Sequence, residues 1–193
     1  MLTKYSQWIN LEAVHETRVN STTRLGQTLG VIALLIVAPP MAAVADEKSG
    51  NDCPYVFGYQ PSKEQLQKIL DRHVTWLNAG GPAKPGIKGR AVLCNLNLRG
   101  FDFSKKNLKQ ADLRGADLSG VNLHGANLFH AVLSNAHLRN ADLGKAKLDG
   151  AVLQGTDLTA ANLTGASLVD ADLRYAFLYN AKLIKAWMEK TAL

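Results

Sequence analysis

A ladder of large apolar residues at every fifth position constrains this chain more than any other feature. It begins at Leu93 and runs without a slip to Leu193. Two residues before most of its steps lies a small residue, usually alanine. A continuous strand would turn successive steps to opposite faces, and five residues of an α-helix rotate by about 500°, so the steps would spiral around every side. The spacing therefore predicts a short extended piece in each repeat, followed by a corner that reorients the chain.

The second residue after each step supplies the chemistry of that corner. It is often glycine or asparagine, which tolerate a positive φ and suit a type II turn. These residues are Gly100, Gly115, Gly120, Gly125, Gly150, Gly155, Gly165, Asn95, Asn135, Asn140 and Asn180. Repeated corners of one hand wind a chain into a solenoid, which is the predicted architecture.

The repeating units resemble those of pentapeptide-repeat proteins. Units such as ADLRG, ADLSG, VNLHG and ANLTG follow the family pattern A-(D/N)-L-x-x, in 20 consecutive units and one partial unit over residues 91–193. The resemblance implies an all-β, right-handed quadrilateral parallel β-helix with four units per coil and about five coils. A segment with Leu70, His73, Trp76 and Leu77 before the repeats also resembles a helical preface found in some members.

In that arrangement the ladder residues and the alanines point inward. The first coil departs from the pattern, because Leu96, Phe101 and Lys106 take alanine positions. A lysine ammonium is costly to bury in an apolar interior. We therefore expect a distorted first coil that a helix covers. Thr156 is a milder departure, since its hydroxyl can bond to the backbone.

Residues 1–45 are predicted to be a secretory signal peptide. The uncharged run Leu29–Ala38 follows Arg24 and precedes small residues at Ala43 and Ala45, so cleavage is expected between Ala45 and Asp46. This predicts an exported protein, periplasmic or extracellular, with no stable membrane insertion after cleavage. The alternative is that the segment stays uncleaved and anchors the chain.

Two cysteines remain in the mature chain, Cys53 and Cys94. An even number in an exported protein predicts a disulfide, with two unpaired thiols as the alternative. Cys53 lies in segment 46–61, which is rich in turn-forming residues and is expected to be irregular. Within it Tyr55, Phe57 and Tyr59 alternate at strand spacing, so they are expected to pack on the following domain or to form a short strand.

An amphipathic capping helix is predicted at 62–78. Ser62 and Gln65 form a capping box at its start. Its apolar face comprises Leu66, Ile69, Leu70, His73 and Leu77. Glycines and a proline end the helix, and residues 79–90 form a linker. His73 and Trp76 are interpreted as a buried residue and a flanking contact, not as a site.

The sequence contains no catalytic constellation, metal-ligand cluster or cofactor-binding motif. His124, His130 and His137 fall in different columns, and no clustered carboxylates accompany them. The serines and threonines lack a neighbouring base. The net charge of +6 is spread along the chain, which is typical of a soluble surface and gives no reason to expect nucleic acid as a partner. The chain is predicted to be a non-enzyme without cofactors.

The last repeats concentrate exposed aromatic residues, namely Tyr175, Phe177, Tyr179 and Trp187. They are interpreted either as an interface for a second copy or an unknown protein, or as a self-made end cap.

The predicted function is an exported, non-catalytic β-helical scaffold or protein-binding module of the cell envelope. Some proteins of the resembled family mimic DNA and act on topoisomerases, but the positive charge and the signal peptide disfavour that role here. A polysaccharide-cleaving β-helix would have wider, irregular coils and an acidic cleft, and this chain has neither feature in its sequence.

Overall fold

The computed structural model of the chain describes residues 53–55, 57–83 and 89–193. The predicted signal segment 1–45, with its cleavage site between Ala45 and Asp46, lies outside these residues. No helix among the described residues is long and apolar enough to cross a membrane.

Parallel backbone bridges join each repeat to the one 20 residues further along. They run from the pair Val92 and Asp112 to the pair Asp172 and Ala192. In every bridge except that of Asp102 and Asn122 the backbone donates in both directions. Leu113, for example, donates to the carbonyl of Val132 at 2.7 Å, and the N–H of Val132 donates to Ala111 at 2.9 Å. One coil therefore contains 20 residues, or four units, and each extended piece is a single bridged residue.

Every corner residue from Asn95 to Lys190, at steps of five, has a positive φ. The predicted left-handed corners are therefore confirmed. Thirteen of these positions carry residues other than glycine, including Lys105, Lys145 and Tyr175 with φ of 57°, 57° and 63°. None of the 20 corner residues is β-branched, as expected where a branched Cβ would be most strained.

Aspartate and asparagine precede the ladder residues for a structural reason. All eleven of them accept a hydrogen bond through Oδ1 from the backbone N–H two residues further along. The distances range from 2.8 Å at Asp102 to 3.3 Å at Asn107. Such side chains stabilise turns locally. The aspartate and asparagine side chains before the ladder residues therefore stabilise the turns at the corners of the solenoid.

Ladder residues and alanines form one continuous core. The ladder residues from Leu93 to Leu173 are at most 1% exposed. Thr156 is also fully buried, and its hydroxyl donates to the carbonyl of Leu133 at 2.8 Å, as predicted. Leu178, Leu183 and Met188 are only half-buried, because the described chain places no further coil against them.

The expected distortion of the first coil is small, does not affect Lys106, and is seen in the turn bonds of Leu96 and Phe101, which are 3.5 and 3.3 Å long. Lys106 keeps the regular turn, donating to Phe103 at 3.1 Å, and its carbonyl accepts from Asn127 at 2.9 Å. Its side chain is exposed. Leu96 and Phe103 of the same coil are fully buried, so among its inward positions only the side chain of Lys106 is left uncovered there. The ammonium group reaches water without any change of the backbone.

The single α-helix of the described residues, α1, spans Lys63–Asn78. Its N-terminus has the predicted capping box, because Ser62 donates its N–H to Gln65 Oε1 at 2.7 Å and Ser62 Oγ accepts from the N–H of Gln65 at 3.2 Å. A short 3-10 turn, Gly81–Ala83, follows. Leu66, Ile69 and Leu70 join the core of the solenoid.

Two details of the predicted helix face differ in the structure. Trp76, expected as a flanking contact, is only 6% exposed. Leu77, expected on the buried face, is half-buried. The face is therefore rotated towards Trp76, which lies close to the backbone of Gly81 and Gly89.

Residues 53–60, without the undescribed position 56, form a segment that we call the strap. It pairs with the first coil, since Gly58 donates to the carbonyl of Asn95 at 2.8 Å and Tyr59 accepts from the N–H of Asn97 at 2.9 Å. The strap thus satisfies backbone groups that a preceding coil would otherwise bond. Tyr55 and Tyr59 pack on the core, whereas Phe57 is 71% exposed. The three aromatic residues therefore do not all pack on the solenoid, although their strand spacing predicted it. The reason is that the chain turns at Gly58, where φ is 79°.

Candidate functional site

A disulfide attaches the strap to the first coil. Cys53 and Cys94 are bonded in the structure, with their Cα atoms 5.7 Å apart and 41 positions apart in the sequence. The bond fits the predicted pairing and accounts for both cysteines of the sequence. Because Cys94 is fully buried, the bridge fixes the strap directly against the interior.

His73 connects α1 to the first coil and does not belong to a reactive site. Its side chain is fully buried, and its Nδ1 accepts a hydrogen bond from the N–H of Ala91 at 3.0 Å. The ring stacks on Trp76 with centroids 5.6 Å apart. Since Nδ1 is an acceptor, the neutral ring carries its proton on Nε2, which is buried without a hydrogen bond of normal geometry.

The pKa of His73 gives a testable pH dependence. Burial lowers this pKa below its ordinary value of 6.5, the backbone of Lys109 acts against the shift, and Arg90 adds to it. Unfolded His73 therefore binds a proton at a pH where the folded residue does not, so the free energy of unfolding should fall as pH drops below about 6.5.

His73→Gln should remove that slope, since glutamine can accept from Ala91 and does not titrate. Urea denaturation above and below pH 6.5 measures it. The matched control is His137→Gln, which makes the same substitution at an exposed histidine of the repeats. An identical slope in the wild type and in His73→Gln would contradict the prediction.

A shallow groove of about 320 Å³ lies beside the exposed ring of Phe57, and Arg99, Asp117, His137 and Arg139 are among the residues that line it. Its charges are largely satisfied by one another. Arg99 Nε lies 2.7 Å from Asp117 Oδ2, and Ser119 donates to the same carboxylate. Burial raises the pKa of Asp117, but the bonds from Ser119 and Arg99 outweigh it and hold the pKa below its ordinary value.

The other histidines of the repeats do not form a catalytic or metal site. Nδ1 of His124 lies 3.5 Å from Asp142 Oδ2, and Nδ1 of His130 lies 3.1 Å from the carbonyl of Gly150. Within residues 53–55, 57–83 and 89–193, no group of three His, Cys, Asp or Glu side chains is placed to hold a metal ion.

The predicted aromatic interface is divided between two sides of the last coil, 171–190. Tyr175, Phe177 and Tyr179 are 83%, 63% and 74% exposed and follow one another along one half of the coil. Trp187 is 66% exposed but lies in the other half, where its backbone bridges to Ser167. We call the first three residues the aromatic patch.

Charge is segregated between the two halves of each coil. A coil closes after 20 residues, so its first ten residues (91–100 and their equivalents) lie opposite its second ten (101–110 and their equivalents). All four arginines of the repeats lie in the first half and all eight lysines in the second. We call these halves the arginine side and the lysine side.

The arginine side is neutral because its charges are paired. Each of its four arginines forms an ion pair with one of its four aspartates, and these pairs are Arg99–Asp117, Arg114–Asp112, Arg139–Asp157 and Arg174–Asp172. The lysine side has eight lysines, four aspartates and one glutamate, a net charge of +3. None of its lysines makes an ion pair within the described chain. The charges of the repeats are therefore not evenly distributed over the surface, contrary to expectation. Their segregation can be recognised in the sequence when residue positions are compared at intervals of 20.

These features define a class of protein: a solenoid of five-residue units whose coils bond through parallel bridges 20 residues apart. The family is also identified by comparison. A family model of pentapeptide repeats, in eight copies, matches residues 90–125, 118–155, 126–165 and 151–189. The chain belongs to the pentapeptide-repeat family. Among proteins of curated function, none matches it.

Solved structures similar to the chain are also pentapeptide-repeat proteins. HetL from the cyanobacterium Nostoc, involved in heterocyst differentiation regulation, is 38% identical over 53% of this chain and 53% of its own, with a TM-score of 0.41. The chain thus spans about half of the length of that structure. A protein from the Arabidopsis thaliana thylakoid lumen is 30% identical over 54% of this chain and 73% of its own, with a TM-score of 0.47.

Proposed function

We propose that the chain is an exported, non-catalytic β-helical scaffold or protein-binding module of the cell envelope, with right-handed, four-sided coils, about five in number. The Cys53–Cys94 disulfide is the observation that carries this proposal. Disulfides persist in oxidising compartments and are rare where thiols are kept reduced. The signal-peptide pattern of residues 1–45 supports the same assignment independently.

The lack of free reactive groups supports a binding role. Pentapeptide-repeat proteins are generally non-catalytic. In this chain the aspartates and asparagines before the ladder residues bond to the corners, and the arginine side is neutralised by ion pairs. The net positive lysine side is opposite in sign to the acidic surface that a DNA mimic needs.

We propose a second copy of the chain as the partner of the aromatic patch. Three large aromatic side chains are exposed there, at every second residue of the chain. The adjoining backbone is also open, because the N–H of Leu178 donates to no backbone carbonyl, whereas Leu158, one coil earlier, donates to Phe177 at 2.9 Å. Exposed aromatics beside an open edge favour pairing with another chain.

Fractionation of intact cells with immediate alkylation of thiols tests export. We expect the chain in the envelope or medium, beginning at Asp46, with Cys53 and Cys94 protected from alkylation. A cytoplasmic chain that retains residues 1–45 and has two alkylated thiols would contradict the proposal.

Light scattering tests the aromatic patch. We expect a dimer for the wild type and a monomer for Phe177→Lys, because a charge would be placed in the interface. Phe57→Lys is the matched control, since Phe57 is as exposed as Phe177 but lies on the strap. A monomeric wild type would exclude the second copy, and a complex with a different protein would replace it as the occupant.

A further inference from the structure

The lysine side carries a net positive charge, and one of its lysines contacts an aromatic ring, since Lys109 Nζ lies 5.2 Å from the centroid of Phe129. Seven of its eight lysines are exposed and Lys109 is half-buried. Three of its aspartates accept hydrogen bonds from neutral donors on the same side. Asp142 accepts from Asn162 Nδ2 at 2.8 Å and from the N–H of Gly144 at 2.9 Å, and Asp149 accepts from Ser167 and from the N–H of Val169. Asp102 accepts from the N–H of Ser104. Asp170 and Glu189 are exposed.

Three lysines form a straight column along one corner of this side. Lys105, Lys145 and Lys185 are separated by two coils each, or about 9.6 Å along the axis. Glycines occupy the corner in the coils between them. A Cβ built on Gly125 would lie 3.7 Å from Cγ of Lys105, and Gly165 stands in the same relation to Lys145. The lysine stems therefore lie along the corner over these glycines.

The same side ends in two exposed apolar residues. Ile184 and Trp187 are 64% and 66% exposed in the last coil. They stand among Lys182, Lys185 and Lys190, all three of which are exposed. Such a surface combines an apolar tip with surrounding ammonium groups.

We propose that the lysine side binds an anionic lipid surface peripherally, with Ile184 and Trp187 entering the headgroup region. Lysines near an anionic bilayer are attracted to it without needing a fixed geometry. Tryptophan and bulky aliphatic residues gain from the boundary between headgroups and acyl chains. A soluble polyanion would leave the exposed side chain of Ile184 unused.

The choice of basic residue also favours a lipid surface over nucleic acid. Arginine forms bidentate bonds to phosphate and stacks on bases, whereas lysine acts as a mobile point charge. All the arginines of the repeats lie on the opposite side and are paired with aspartates. The lysine side therefore suits a diffuse layer of negative charge.

Flotation of the full chain with phospholipid vesicles tests this proposal. Neutral phosphatidylcholine vesicles measure the background from the apolar segment within residues 1–45, and vesicles containing phosphatidylglycerol measure the electrostatic gain. We expect the wild type to favour the anionic vesicles and to lose that preference at high salt. K105Q/K145Q/K185Q should weaken partitioning into them by roughly 10- to 100-fold.

The matched control is R99Q/R139Q/R174Q, which removes the same net charge from the opposite side. It should retain most of the binding, and circular dichroism should show that both variants are folded. I184S/W187S should lower vesicle binding while retaining its salt dependence. Equal loss in the two charge variants would overturn the proposal, as would vesicle binding insensitive to I184S/W187S or tighter binding to duplex DNA. Export and the second-copy interface would stand in each case, because fractionation and light scattering test them separately.

Discussion

Leu133→Ala is expected to lower the free energy of unfolding by about 3–4 kcal/mol, near the middle of the range for buried leucines. Leu133 is fully buried, with Leu113 one coil before it and Leu153 one coil after it. The backbones of these coils are fixed by bridges on both sides. The interior therefore has little freedom to collapse into the cavity that the substitution leaves.

Leu193→Ala is the matched control, because Leu193 belongs to the same column three coils later but is 73% exposed. It should change the free energy of unfolding by no more than about 0.5 kcal/mol. Urea denaturation followed by circular dichroism measures both variants. Equal losses at the two positions would show that burial in the column does not determine stability, contrary to the structure.

The repeat geometry was predictable because one short pattern determines it many times over. Five-residue spacing excludes a continuous strand and a helix, and the corners have a positive φ that residues such as Gly100 and Asn95 tolerate. The capping box at Ser62 and the pairing of the two cysteines were likewise predictable from local chemistry or from number alone. Each of these features depends on few residues that are close in sequence or on a simple count.

The features that were missed depend on contacts between distant residues. Phe57 faces outward because Gly58 turns the strap as it pairs with the first coil. Trp76 is buried because residues 81 and 89 close over it. Lys106 keeps a regular turn because its side chain is left uncovered and reaches water. None of these three outcomes follows from the spacing of apolar residues, which does not show which residues lie across a coil.

The candidate surfaces show the same division. The aromatic residues of the last coil were found from composition, but only the 20-residue coil separates Trp187 from Tyr175, Phe177 and Tyr179. The lysine side could likewise be recognised only when the 20-residue length of a coil was known. Once it is known, the positions of the arginines and lysines assign each to a side.

Loss of the disulfide is expected to have the other large effect. In Cys53→Ser/Cys94→Ser the free energy of unfolding should fall by about 4 kcal/mol, because a bridge across 41 positions restricts the unfolded chain by about that amount in the loop-entropy model. A reducing agent should shift the wild type towards the variant and leave the variant unchanged. Urea denaturation with and without the reducing agent measures this.

The loss of stability should be largest at one end of the solenoid, because the loop that the disulfide closes contains the strap and α1 but none of the later coils. The strap adds only a few backbone bonds to the first coil, such as those at Gly58 and Asn97, and without the bridge these must offset the entropy of ordering it alone. Amide hydrogen exchange should therefore show a larger loss of protection at Asn97 in the variant than at Leu143, whose N–H donates to Asn162 in the middle of the stack. Uniform loss along the whole solenoid would contradict a local role for the bridge, and unchanged protection at Asn97 would show that the strap holds its place without it.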